Sequence, residues 1–563
     1  MSAPGARAPQ AADPAARPGA RRPAPAPGAA PGARAPRSAP LPRGVGIALD
    51  PGVRRLDGGR ALLGGVPLRL VRLSPAGARV AAAWARGERP AADGARMLAR
   101  RLLDAGIAHP RPSGAGAPRL DEVTVIVPVR DRPRQLRRCL AAVAAAERPG
   151  AGPRRLVVDD GSQDAEAVAA VAAQAGARLL RRERAGGPAA ARNSGLAQCS
   201  TPFVAFVDSD CLPAPGWLST LLAHLADPQV GAVAPRIVAH PAARDGWLAQ
   251  YEERFSPLDM GAREGPVAPL RRVPYVPTAA LVARRAALGD GFDPELTVGE
   301  DVDLVWRMTA AGWTVRYEPA AAVAHDHRVT VAAWLRRRAA YGTSAAPLHR
   351  RHPGAVPAAV ASPSAAAAWL LLAARRPRAA LLAAALATAA AARRLDRTLP
   401  RPAGAGADRP PDRADSPARA GAHRDPPRPL GGPTARPSLP GDHRDPPPPL
   451  GGLLPSGEAM RLAAIGVAAS GRSLSSALTR PWLPAALLVA LRSRRARAPL
   501  AAGVLLPRAF AVARERGRLD LPRALVAAVA DDAAYAAGLW WGCLRHRTLG
   551  PLLPSRGRIR RRG

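Results

Sequence analysis

The run Val123-Thr124-Val125-Ile126-Val127-Pro128-Val129 constrains this chain more than any other stretch of it. Seven mostly β-branched residues without polar alternation suit a strand covered on both faces, the environment of a parallel sheet. A helical stretch (Arg134–Ala146) follows, then the strand Leu156–Val158, a helix over Ala165–Ala175, a short strand over Arg178–Leu180, a helix from Pro188 and the strand Phe203–Val207. This alternation predicts an α/β domain with helices on both sides of the sheet.

In such sheets ligands bind beyond the carboxyl ends of the strands, and acids stand at those ends here. Asp159-Asp160 close the second strand, and Asp208-Ser209-Asp210 follow Phe203–Val207. Carboxylates on alternate residues past a buried strand suit Mg²⁺ or Mn²⁺, a bound phosphate completing the shell; a solvated turn has the same spelling. Between them, Gly186-Gly187 opens a helix and offers backbone N–H groups to a diphosphate. Further on, Gly299-Glu300-Asp301-Val302-Asp303 places acids on a first helical turn, and Ala324-His325-Asp326-His327 follows another strand.

Taken in order, VTVIVPVRDR, VVDDGSQD, RAGGPAAARNSGL, FVAFVDSDC and VGEDVDLVWRM resemble the inverting, nucleotide-sugar-dependent glycosyltransferases of family 2, over Asp121 to Gly342. The stretches LDGGRALLGGVPLRLVRLSP, AGIAHPRP, VAPRIV, YEPAAAVAHDHR, AYGTSAAPL and DDAAYAAGLWWG are similar to the mycofactocin-system glycosyltransferases. The resemblance implies a GT-A, Rossmann-like nucleotide-sugar domain, a UDP-glucose donor, Mn²⁺ or Mg²⁺, and a peptide-derived redox cofactor precursor as acceptor of a short β-glucan chain. It places Pro128 and Asp160 at the nucleotide, with Asp160 accepting from the uracil N–H. Arg192 and Asn193 support the nucleotide-sugar and its phosphates, and Asp208 meets the ribose or sugar. Asp210 holds the metal, and His325 rather than His327 completes its shell. Asp301 is the general base: inversion needs a carboxylate on the acceptor side, away from the metal. Glu300 and Asp303 read as helix-terminal charges, and Arg307 as a diphosphate or acceptor contact or a surface residue. No Gln-x-x-Arg-Trp follows the acidic site, only Val305-Trp306-Arg307-Met308, which favours addition of few sugars.

The remaining chain reads as follows. Residues 1–43 hold eleven prolines, seven arginines and a single acid, a composition that cannot offset its ordering entropy. Residues 1–40 are therefore expected to be disordered, and lack the apolar core of a secretory signal. Residues 41–115 read as a small α+β module that resembles a PqqD-like peptide-recognition domain, and 119–345 as the catalytic domain. Apolar helices are expected over 355–400 and 458–563. Between them, 401–457 reads as a disordered insert carrying the repeat HRDPPRPLGG and HRDPPPPLGG at 423–432 and 443–452. One or two apolar tracts approach the 20 residues of a membrane span.

All 82 basic residues are arginine, against 43 acids, a net charge of +39. Such a charge suits nucleic acid or an anionic membrane. Within 119–342, however, 28 arginines face 25 acids. A nearly neutral catalytic domain needs no nucleic-acid partner. The basic excess flanking the apolar tracts fits the cytoplasmic face of a membrane, peripheral or multi-pass. Four cysteines without CxxC spacing give no disulfide framework. The rival reading is a membrane-associated family 2 enzyme or synthase component with a lipid or polysaccharide acceptor.

Overall fold

The computed structural model describes residues 35, 39–146, 152–240, 246–326, 330–397, 456–514 and 520–556. His327, the proline-rich repeats and most of the first 40 residues lie outside them. The chain divides into two compact units, one drawn from Met1–Ala48 and Gly87–Arg328, the other from Leu49–Arg86 and Val329–Gly563.

Along the chain, β1 (Val45–Leu49), β2 (Arg54–Leu56), β3 (Ala61–Gly64) and β4 (Arg69–Arg72) precede α1 (Pro75–Ala85), α2 (Asp93–Ala105) and β5 (Ala108–Pro112). β2, β3 and β4 form an antiparallel sheet, and β1 pairs with β5. Helix starts and stops follow local chemistry. The Ser74 hydroxyl accepts the Gly77 N–H at 3.1 Å to cap α1, and α2 ends on Gly106 in the left-handed region (φ 70°). α2 and β5 belong to the first unit and are tied into it by charge: buried Arg100 donates to Asp227 (2.8 Å), and Arg111 forks onto Glu264 (2.7 and 2.9 Å).

The first unit is organised by a mixed sheet. β6 (Val123–Val129), α3 (Pro133–Ala145), β7 (Arg154–Asp160), α4 (Ala165–Gln174), β8 (Arg178–Arg182), α5 (Gly187–Ala197) and β9 (Phe203–Val207) alternate as expected. β10 (Cys211–Pro213), α6 (Trp217–His224), β11 (Val230–Ala239), α7 (Trp247–Phe255), β12 (Gly265–Val267), β13 (Ala280–Arg284), α8 (Glu300–Ala310) and β14 (Thr314–His325) follow. The strand order is β10-β14-β11-β13-β9-β6-β7-β8, with β12 on β14. β6, β7, β8 and β9 run parallel, which bears out the α/β fold class. The other half departs from an all-parallel sheet: β13 runs antiparallel between β9 and β11. Val125, Val127, Leu136, Val157, Val207, Trp217 and Val282 pack the core and are essentially inaccessible.

The second unit is largely helical: α9 (Val331–Thr343), α10 (Ala345–Arg351), β15 (Val360–Ala361), α11 (Pro363–Ala373), α12 (Pro377–Arg397), α13 (Ser456–Thr479), α14 (Leu483–Arg492), α15 (Arg494–Arg514), α16 (Leu521–Arg545) and β16 (Ser555–Arg556). α9 and α16 touch through glycines. A Cβ on Gly538 would lie 1.8 Å from the Ala339 carbonyl oxygen, and one on Gly342 would lie 2.1 Å from that of Tyr535. Among the described residues one helix is long and apolar enough to cross a membrane, over Arg494–Ala513. A second qualifies if Ala464–Thr479 and Leu483–Arg492, bent by 81°, count together.

Candidate active site

Parallel pairing brings the carboxyl ends of β6, β7 and β9 to one edge, since Val129 stands opposite Asp159 and Ile126 opposite Phe206. Antiparallel β13 delivers its start to the same edge: Ala280 faces Val207, and the Ala279 carbonyl accepts the Asp208 N–H at 2.9 Å. β14 ends there too, with His325 opposite Cys211 of β10 and Ala239 of β11. The edge thus collects Pro128, Asp160, Asp208, Asp210 and His325 from four segments.

Each of the two acids closing β7 meets an arginine of β8. Asp159 pairs with Arg181 and Asp160 with Arg182, their direct neighbours in the strand register. Asp159 also accepts the Ser162 N–H at 2.9 Å. The intervening Gly161 adopts φ 72°, and a Cβ there would lie 2.8 Å from the Ala185 nitrogen, so the turn needs glycine. Asp160 further accepts from Gly186 (3.0 Å) and Gly187 (2.7 Å). The glycine pair expected to offer free N–H groups to a diphosphate donates them to this carboxylate instead. The buried charge of Asp160 (5% exposed) requires these partners. Pro128 is half-buried in β6, beyond the last β9 pairing at Ile126.

The metal-side residues cluster. The His325 Nε2 lies 3.6 Å from the Asp210 Oδ1, and Arg132, from the loop after β6, donates to the other oxygen of Asp210. Ligand atoms of Asp210, Cys211 and His325 all lie within 4.8 Å of one another. Burial, with help from Asp208 and Asp210, holds the Cys211 thiol well above its ordinary pKa. Hard cations such as Mn²⁺ and Mg²⁺ favour oxygen over sulfur, so the donors that match them are one carboxylate and one imidazole. That set suits Mn²⁺ or Mg²⁺ with diphosphate oxygens filling the rest of the shell.

Arg192 is where the sequence reading underestimated the site. Its guanidinium, only 3% exposed, donates to the Asp208 Oδ1 (2.6 Å) and to the Glu300 Oε1 (3.1 Å), and lies 5.4 Å from the Phe292 ring centroid. Burial opposes its charge, yet Asp208 and Glu300 more than offset this and hold it above the ordinary arginine value. One guanidinium therefore joins the acids after β9 to those opening α8. Asn193 is used differently from expectation: its amide donates to the Phe292 carbonyl (2.7 Å) and accepts the Phe292 N–H (2.8 Å). It locks the loop carrying that ring.

Glu300, read as a helix-terminal charge, is buried and belongs to this bridge. Asp303 and Arg307 pair with each other (2.7 Å), and Arg307 also donates to the Gly291 carbonyl (2.6 Å), a structural role. Asp301 is half-buried and accepts the Val302 N–H at 2.7 Å. Burial, and next the adjacent Glu300 carboxylate, push its carboxyl up to about 7, against the pull of Arg192 and the Val302 and Thr278 amides. A carboxylate titrating near neutrality can accept a proton at working pH. Arg132, Cys211 and the Glu300 bridge were missed; the clustered Arg130-Asp131-Arg132 after a strand end was the available signal for the first.

The chain is similar to known glycosyltransferases. The Glycosyl transferase family 2 profile matches residues 124–290. "Pre-mycofactocin glycosyltransferase" of Mycobacterium tuberculosis (strain ATCC 25618 / H37Rv) is 37% identical over 525 residues, 92% of this chain and 98% of that protein. An "N-acetylglucosaminyltransferase" of Rhizobium meliloti (strain 1021) is 32% identical over 249 residues, 40% of this chain and 56% of that one. Among solved structures, a mannosyltransferase from Pyrobaculum calidifontis in complex with GDP-Man and Mn²⁺ is 24% identical, covering 43% of this chain and 66% of its own, with a TM-score of 0.34. With near-complete coverage at 37% identity, and with a family 2 GT-A domain whose acidic strand ends converge, the chain belongs to the pre-mycofactocin glycosyltransferase family.

Proposed function

We propose that this enzyme moves glucose from UDP-glucose to the peptide-derived precursor of mycofactocin, with inversion, and builds a short β-linked glucan. The observation that carries the chemistry is the Asp208–Arg192–Glu300 bridge, which sets a near-neutral carboxylate, Asp301, one guanidinium away from the donor-side acids.

In this reading Asp160 and Pro128 hold the uracil end, Asp208 the ribose or sugar, and Asp210 with His325 would hold Mn²⁺ or Mg²⁺. The metal supplies charge neutralisation to the departing diphosphate. Asp301 takes the proton of the acceptor hydroxyl as that oxygen bonds to the anomeric carbon. The bond from this carbon to the diphosphate breaks on the opposite face, and UDP leaves with the electron pair. Arg192 keeps the two sets of acids in register, Asn193 fixes the Phe292 loop beneath it, and residues 41–115 recognise the peptide. The exposed apolar helices of the second unit favour a place at the cytoplasmic face of the membrane. They also support a second reading, a lipid-linked acceptor.

The test is transfer from UDP-glucose with Mn²⁺ to the peptide-derived acceptor and to polyprenyl phosphate in parallel. Asp301→Asn should abolish transfer while UDP still binds, and the product should be the β-anomer by its anomeric coupling constant. Near-normal turnover in the variant overturns the base assignment, and an α-product overturns the single displacement.

A further inference from the structure

Leu348 and Leu539 of α10 and α16 are buried, but around α11 to α15 the second unit buries the wrong residues for a protein surrounded by water. Ala368, Ala387, Thr388, Ser470, Ser475 and Ala524 are buried, while Leu370, Leu381, Leu382, Leu491, Leu506 and Phe510 of the same bundle are each more than half exposed. In water the order is the reverse, because burying leucine is worth far more than burying alanine. Lipid tails remove that difference. Helices then associate through small residues that allow close approach, as Gly471 does beneath Trp369, where a Cβ would lie 2.4 Å from the ring.

Charge follows the same rule. Between Ala498 and Val512 the only charged residue is Arg508, and it turns inward to buried Asp532 of α16, which also takes Arg480 at 2.7 Å. Charged groups at membrane depth face the bundle and pair. By contrast, Arg375, Arg376 and Arg378, where α11 gives way to α12, and Arg494, Arg495 and Arg497, where α14 gives way to α15, are all exposed. α11 and α14, of 11 and 10 residues, reach about 15 Å, half of a ~30 Å hydrocarbon core.

We infer that this leucine face is a membrane contact surface, its apolar side chains in the acyl layer of an anionic bilayer and its arginine turns among the headgroups. It gives physical form to the membrane placement proposed above and is independent of donor and acceptor.

The test is flotation of the full-length protein with vesicles of phosphatidylcholine and phosphatidylglycerol (7:3) in 1 M NaCl, where purely electrostatic binding by arginine-rich tails is lost. The wild type should float. Leu505→Gln/Leu506→Gln/Phe510→Gln should lower recovery at least tenfold with UDP binding intact. Should that triple variant fail to bind UDP, Leu381→Gln/Leu382→Gln on α12 makes the same prediction. Three outcomes overturn the inference: a wild type that stays at the bottom in salt, folded variants that float equally well, or light scattering showing a vesicle-free dimer that these substitutions dissociate. Transfer assayed in detergent reports separately on the sugar chemistry, so failed flotation leaves that reading standing.

Discussion

The sheet of the first unit and the helices α11 to α15 of the second differ in what they bury. The sheet unit places Val125, Leu136, Val157 and Trp217 inside and gathers Asp160, Asp208 and Asp210 at one strand edge. The helical unit keeps many alanines, serines and threonines inside, closes its interior with Asp531 and Asp532 paired to Arg338, Arg480 and Arg508, and leaves most leucines of α11, α12, α14 and α15 outside. Composition does not separate them, since both are rich in alanine and arginine. What differs is which side chains each fold takes out of solvent, and hence the medium for which each is suited.

The largest effect should fall on chemistry and come from the sheet unit alone. Asp301→Asn should lower kcat by about 10³-fold, the scale of losing a general base. Leu506→Ala in the other unit should leave kcat in detergent within twofold. A large kcat loss from the leucine variant would break the division of labour.

Next in size is the buried bridge. Arg192→Met strands Asp208 and Glu300 and should destabilise the sheet unit by about 3–5 kcal/mol in urea unfolding. Arg192→Lys should recover part of the stability but little of the turnover, because a single ammonium cannot span both carboxylates in a fork.

Packing gives the direct contrast. Leu136→Ala should cost about 3 kcal/mol, as for a fully buried leucine, whereas Leu506→Ala should stay within about 0.5 kcal/mol in detergent. In the helical unit the sensitive positions are the small ones: Gly538→Ala should cost about 1–3 kcal/mol by forcing α16 away from the Ala339 carbonyl.

The last effect concerns pH. Asp301 holds its proton more tightly folded, at about 7, than an unfolded aspartate does. The folded state therefore binds more protons between about pH 4 and 7, and stability contributed by this group declines as pH rises through that window. Activity runs the other way, rising as the base ionises. In pH titrations of unfolding, Asp301→Asn should remove this decline and leave a more stable protein above pH 7. An unchanged stability profile would place the Asp301 titration elsewhere.

Much of the catalytic half is legible from local pattern. A β-branched run gives β6, a serine and a glycine bracket the early helices, and acids at strand ends mark the ligand edge before any pairing is known. The sequence reading fails where partners lie far apart. Arg192 meets Glu300 across 108 residues and Asn193 meets Phe292 across 99, and no periodicity encodes either contact. The antiparallel β13 escaped because the βα alternation stops after Val207, and the glycine pair was misassigned because its partner, Asp160, stands 26 residues away.

The sequence by itself determined the strand–helix alternation, the positions of the acids and the segregation of charge, since all three depend on residues near in the chain. Only the tertiary structure decided which carboxylate each arginine neutralises and which way the leucines of the helical unit face. Desolvation and packing are set by neighbours that the fold, not the order of residues, brings together.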